Sequence, residues 1–112
     1  MEVMAKTRDT GISASKIRLL VNLVRGKKVD EALALLKFVP TPNARVVAKV
    51  IKSAAANAEH NFQMSASDLR VVRIFAEEGR TLRRFRARSR GRASPILKRS
   101  SHIKVIVAEQ ES

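Results

Sequence analysis

Residues 69–109 read LRVVRIFAEEGRTLRRFRARSRGRASPILKRSSHIKVIVAE, two stretches rich in Val and Ile with a run of arginine between them. The outer pieces, 69–79 and 101–109, carry the β-branched content of strands and are expected to pair antiparallel. The twenty-residue interval 80–99 is too polar to form a core and too long for an ordinary connection inside a compact domain. With a strand on each flank, the economical geometry is a hairpin that continues both strands beyond the body and turns near Arg88 to Gly91. Arms of roughly ten residues at about 3.3 Å each would carry the tip roughly 30 Å outward. A lone two-stranded ribbon is marginal in water, so a partner is expected to supply its order.

The chemistry of that interval is one-sided. Arg80, Arg83, Arg84, Arg86, Arg88, Arg90, Arg92, Lys98 and Arg99 are its basic residues, and no acid occurs between Glu78 and Glu109. The segment therefore cannot neutralise itself. Arg84, Arg86, Arg88, Arg90 and Arg92 fall on every second position, which places them on one side of an extended chain. A planar guanidinium grips phosphate with two hydrogen bonds or stacks on a base, whereas an ammonium does neither. Over the whole chain, 23 Lys and Arg against 10 Asp and Glu give a formal charge of +13. Such an imbalance calls for a polyanion, either a nucleic acid or an anionic membrane. A basic run is also a common feature of disordered tails and localisation signals; a tail, however, would not be followed by another strand.

The N-terminal two-thirds reads as helical. The segment EVMAKTR (2–8) alternates loosely and is expected to form an edge strand. Ser13 is placed to cap a helix in which Ile17, Leu20, Val21 and Val24 recur at helical spacing, with Gly26 as its stop. Asp30 is expected to cap a second helix with Leu33 and Leu36 on its buried side, closed by Pro40. Thr41 and Pro42 supply a cap and a first-turn proline for the longest helix, about 43 to 60. Its apolar stripe is Val46, Val47, Val50, Ile51, Ala54 and Ala58. Arg45, Lys49 and Lys52 stack on another side of it, which reads first as a solvated face and only second as an anion-facing one.

Several functions are excluded or left without residues to perform them. There is no cysteine, so disulfides, thiolate metal sites and cysteine nucleophiles are absent. His60 and His102 have no second ligand at metal spacing. Glu77 and Glu78 are neighbours that a strand would point in opposite directions, and no triad, P-loop or dinucleotide fingerprint occurs. No metal or cofactor is expected, and no catalysis. Neither a signal peptide nor a spanning helix is evident, so a soluble, intracellular protein is expected.

Motifs along nearly the whole chain carry a resemblance. SASKIRLLVNLVRGKKVDEAL (13–33), KVIKSAAANAEHN (49–61), EEG (77–79) and RARSRGRASPILKRSSHI (86–103) occur in order at family-like spacings. In these the chain resembles the bacterial form of the L-twenty-two family of large-subunit ribosomal proteins. The resemblance implies an α+β fold, three helices packed on a small three-stranded antiparallel sheet, with a long β-hairpin over 80–99 protruding from a single domain, 1–112. It implies a structural role: binding 23S rRNA, aiding subunit assembly and lining the nascent-polypeptide exit tunnel, within the cytoplasmic ribosome. Neighbouring large-subunit proteins and the nascent polypeptide would be further partners; no membrane and no homo-oligomer is expected.

Carried over by position, Arg80, Arg83, Arg84, Arg86, Lys98 and Arg99 would grip rRNA along the hairpin arms. Arg88, Arg90, Gly91 and Arg92 would sit at or near the tip, close to where the tunnel accommodates macrolides. On the body, Ser13, Ser15, Lys16, Arg18, Arg25, Gly26, Lys27 and Lys28 would form one RNA-facing edge. Asn57, His60, Asn61, Ser101 and His102 would add to it, while Ala54, Ala55 and Ala58 read as close helix packing. Family members commonly carry prolines where this chain has Arg80 and Ala87, which makes the hairpin less restrained than the pattern without removing charge. Two rivals stand beside this reading. A DNA-binding chromosomal protein lacks a recognition helix here, and a membrane-active cationic protein would need more apolar area than Phe85 provides.

Overall fold

In the computed structural model, which describes residues 2–8, 10–79, 82–87 and 93–109, three helices cover one face of a three-stranded sheet. In chain order the elements are β1 (Glu2–Thr7), α1 (Ala14–Val24), α2 (Val29–Lys37), α3 (Pro42–Phe62), β2 (Leu69–Glu78), β3 (Leu82–Ala87), β4 (Ala93–Lys98) and β5 (Ser101–Glu109). The sheet order is β1-β5-β2, antiparallel throughout, and β3 pairs with β4 in a separate two-stranded sheet. This is the α+β class expected from the sequence, with 2–8 at an edge and 69–79 beside 101–109.

Alternation decides which face of the sheet is buried. Ile103, Val105 and Val107 of β5 point into the core with Val3 of β1, while the residues between them stay on the other side. Strand β2 departs from strict alternation. Leu69 and Val71 are buried, and so is Ile74, three residues on, because the register shifts between Val71 and Arg73. A bulge spends one residue so that both halves of the strand present their apolar side inward.

Helix α1 buries Ala14, Ile17, Leu20, Val21 and Val24, the expected stripe with one alanine added. Ser13 occupies the N-cap position, but its side chain makes no capping bond. Arg25 follows the helix, and Gly26 turns the chain with φ +81°. The start of α2 corrects the sequence reading: its N-cap is Lys28 and not Asp30. The backbone of Lys28 bridges Arg70 of β2, which holds it extended at ψ 148°. The helix can begin only after that bridge, with Ala32 N–H bonded to Lys28 O at 2.8 Å. Asp30 and Glu31 then lie in the first turn, where their charge complements the helix dipole instead of capping. Val29, Ala32 and Leu36 are the buried residues of α2, and Leu33 is half-buried against the core.

Helix α3 opens on Thr41 and Pro42 as expected and runs two residues further than 60, ending where Gln63 turns left-handed at φ 53°. Ala44, Val47, Val50, Ile51, Ala54 and Ala58 are buried on it. The two alanines in the second half, both fully buried, let the helix axis lie close over the sheet. Val46 and Ala55 are half-buried at the margin of the stripe.

The hairpin does not simply prolong β2 and β5. Pairing between those strands ends at Glu78 with Ser101 and resumes at Leu82 with Lys98. Three residues separate the pairs on one arm and two on the other, so the register slips by one. Gly79 N–H donates to Ser100 O at 3.0 Å across this joint. The expected turn, Arg88 to Gly91, and Arg80 lie outside the described residues.

Candidate nucleic-acid interface

Strands β3 and β4 pair from Leu82 with Lys98 to Ala87 with Ala93, and this register puts Arg83 opposite Leu97, Arg84 opposite Ile96 and Arg86 opposite Ser94. Arg84 and Arg86 thus share the alternate positions expected of them. No acidic residue stands opposite any of these arginines in the register, and none occurs in either arm. Arg88, Arg90, Gly91 and Arg92 lie outside the described residues. Arg99, between β4 and β5, is exposed.

Around the base of the ribbon the chain is tied down by small polar residues. Ser101, fully buried, has its hydroxyl 2.9 Å from Thr10 Oγ1, and Thr10 N–H donates to Ser101 O at 3.0 Å. Gly11 N–H donates to Ser100 Oγ at 3.1 Å. Ser101 therefore differs from the expectation of an RNA contact: its hydroxyl faces inward and joins the loop before α1 to β5. His102 is half-buried beside it. A Cβ on Gly79 would come within 3.2 Å of His102 Cε1 and 3.3 Å of the Ser100 carbonyl carbon, so any larger residue here requires His102 or the Ser100 backbone to give way slightly. This loop brings the start of α1 to the hairpin root, with Ser15, Lys16 and Arg18 exposed and Ser13 half-buried.

The basic loop after α1 lies elsewhere. Gly26 N–H donates to Val71 O and Val71 N–H to Lys27 O, both at 2.9 Å, so the loop covers the outer edge of β2. Arg25, although exposed, donates from its guanidinium to two groups of the protein itself, Asn22 Oδ1 and Ile74 O, each at 2.9 Å. An edge strand with unpaired backbone groups invites aggregation, and these contacts occupy part of that edge. Lys27 and Lys28 remain exposed. The stretch Ser13 to Lys28, read from sequence as a single edge, is thus divided between the two ends of α1, about 16 Å apart at 1.5 Å per residue. Asn57, half-buried, and His60 and Asn61, both exposed, belong to the last turns of α3, which leads through Ala66–Asp68 to the start of β2 and so to the end of the sheet away from the hairpin.

Arg45, Lys49 and Lys52, read from sequence first as a solvated face, are exposed along one wall of an open groove between α2 and α3 whose floor includes Leu33, Leu36 and Val39. Sequence reading passed over the uncovered face of the sheet, where Phe75 is exposed because the register shift between Val71 and Arg73 turns it outward, against the alternation set by Leu69 and Val71. Among the described residues no group of His, Cys, Asp and Glu could hold a metal ion, and no helix is long and apolar enough to cross a membrane.

A basic α+β body whose strands carry an arginine-rich ribbon places the chain among proteins that work against a polyanion. The family model for ribosomal protein L22p/L17e matches residues 5–108. Two proteins of Dehalococcoides mccartyi, strains BAV1 and CBDB1, each described as large ribosomal subunit protein uL22, are 63% identical to it over 109 residues. Those alignments cover 97% of this chain and all of the relatives. A protein of the same description from Pediococcus pentosaceus is 53% identical over 107 residues, covering 96% of this chain and 91% of its own. The chain belongs to the L22p/L17e family of ribosomal proteins, structural constituents of the large subunit and not enzymes. Its place is the cytoplasmic ribosome, and rRNA and other ribosomal proteins are its partners there.

Proposed function

We propose that this protein binds 23S rRNA, holds rRNA segments together during subunit assembly, and lines the nascent-polypeptide exit tunnel with a hairpin, 80–99, that protrudes from the body of a single domain. The observation that carries this reading is the separate β3–β4 ribbon, set in a stretch without one acidic residue from Gly79 to Ala108. Protrusion is supported by dimensions. The principal extents are 66 × 26 × 17 Å and the radius of gyration is 17.2 Å, against about 13 Å for a compact chain of this length. Arg80, Arg83, Arg84, Arg86, Lys98 and Arg99 are the arm residues assigned to phosphate, and Arg88, Arg90, Gly91 and Arg92 the tip residues assigned to the tunnel wall. Ser15, Lys16 and Arg18, near the hairpin root, extend the same surface onto the body.

Phosphate neutralisation makes such binding salt-dependent, but a ribbon enclosed by RNA is released slowly even when the electrostatic term is screened. The test is sedimentation of the tagged protein from cell lysate at low and high salt. Co-migration with the large subunit that persists in high salt is the expected result. Release into the free or DNA-bound fraction, or equal affinity for duplex DNA and structured RNA at matched salt, would refute the reading.

A further inference from the structure

The three helices lie on one face of the β1-β5-β2 sheet, and no described element covers the other. On that open face one cross-strand row reads Lys6, Lys104, Phe75, since Lys6 pairs with Lys104 and Lys104 with Phe75. Two lysines directly opposite each other, with Cβ atoms about 5 Å apart, oppose folding unless an anion lies between or over them. Lys6 leans toward Glu77, Nζ to Oε2 3.6 Å, which offsets only half of this charge. Lys104 has no acidic partner among the described residues. The next row is Met4, Ile106 and Arg73, and Arg73 is held by Glu2, Nη2 to Oε1 2.6 Å.

Phe75 stands at the end of the first row with 42% of its surface exposed, flanked by Lys104 beside it and Ile106 diagonally. An aromatic ring on a flat, open sheet is a platform for an unpaired base, and a cation one strand away, about 5 Å, is placed for the phosphate of the same nucleotide. We propose that this face holds an unpaired RNA nucleotide, its base stacked on Phe75 and its phosphate taken by Lys104 with Lys6. The proposal rests on the rRNA-binding reading and adds to it a second site, on the side of the body opposite the helices. An acidic peptide would use the lysines but has no flat group for Phe75, and duplex RNA would present phosphate without an accessible base.

The test uses the full chain with a labelled, unstructured oligouridine, followed by anisotropy across a salt series and by ultraviolet cross-link mapping. Phe75→Leu keeps apolar bulk and removes the π face; it should weaken binding roughly ten-fold with the salt slope unchanged, as loss of one base stack does. Phe75→Tyr should restore binding, and both variants should melt with the wild type. Lys104→Ala should lower the salt slope by about 0.7, whereas Lys37→Ala, an exposed lysine on α2, should leave cross-linking to Phe75 intact. Equal affinities for Phe75→Leu and wild type, or cross-links confined to the hairpin, would overturn the proposal while rRNA binding stands. Displacement of the oligonucleotide by oligoglutamate with no dependence on Phe75 would overturn it in favour of an acidic protein partner. If the wild-type chain fails to bind rRNA itself, it is the broader reading that falls.

Discussion

Individual residues at the two joints of this body carry contacts that their type alone does not announce. Ser101 is a hydroxyl in a fully buried position, satisfied by Thr10. Ser101→Ala leaves Thr10 without that partner and should cost about 1 kcal/mol, read as a lower urea midpoint, with rRNA affinity unchanged. Gly26 stands at φ +81° with nothing within 4 Å of where a Cβ would be, so its replacement meets backbone strain and no clash. Gly26→Ala should therefore cost about 1–2 kcal/mol in the same measurement. An unchanged midpoint in either variant would show that the strand contacts around it hold the chain without help.

At the level of elements, α3 and the covered edge of β2 matter most. The full burial of Ala54 and Ala58 sets how close α3 lies to the sheet. Ala58→Leu adds three carbons to a packed site and should destabilise by about 1–3 kcal/mol, with hydrogen exchange of the β1–β5 amides accelerated. Arg25 closes the outer edge of β2 through Ile74 O. Arg25→Ala should lose about 1 kcal/mol and raise the tendency to aggregate on heating, monitored by light scattering. A variant that stays monomeric through its melting transition would show that the backbone pairing of Val71 with the α1–α2 loop protects this edge by itself.

For the whole molecule the governing quantity is a charge of +13 on 112 residues, concentrated where no acid offsets it. Replacing Arg84, Arg88 and Arg92 by alanine should weaken rRNA binding and reduce the slope of log K against log salt by about 2 to 3, close to one for each phosphate that is no longer neutralised. The melting temperature of the body should hold, because its core is formed without these residues. An unaltered slope would mean that the three arginines meet no phosphate.

Much of this was legible in the chain. Helical spacing located Ile17, Leu20, Val21 and Val24, and richness in Val and Ile marked 69–79 and 101–109 as strands, because spacing and composition are local properties of each element. The arginine run identified a polyanion partner by the same local logic, since no acid lies near enough in sequence to neutralise it. Where a backbone group or side chain is used by a residue distant in sequence, the tertiary structure alone decided. Lys28 displaced Asp30 as a cap because its backbone bridges Arg70. Ser101 became a buried tie because Thr10 meets it across 91 positions. The bulge at Val72 and the row of Lys6, Lys104 and Phe75 exist only in the register of three strands. Sequence spacing reports which residues of one element share a face; cross-strand register, set by the packing of helices on the sheet, determines which elements bring those faces together.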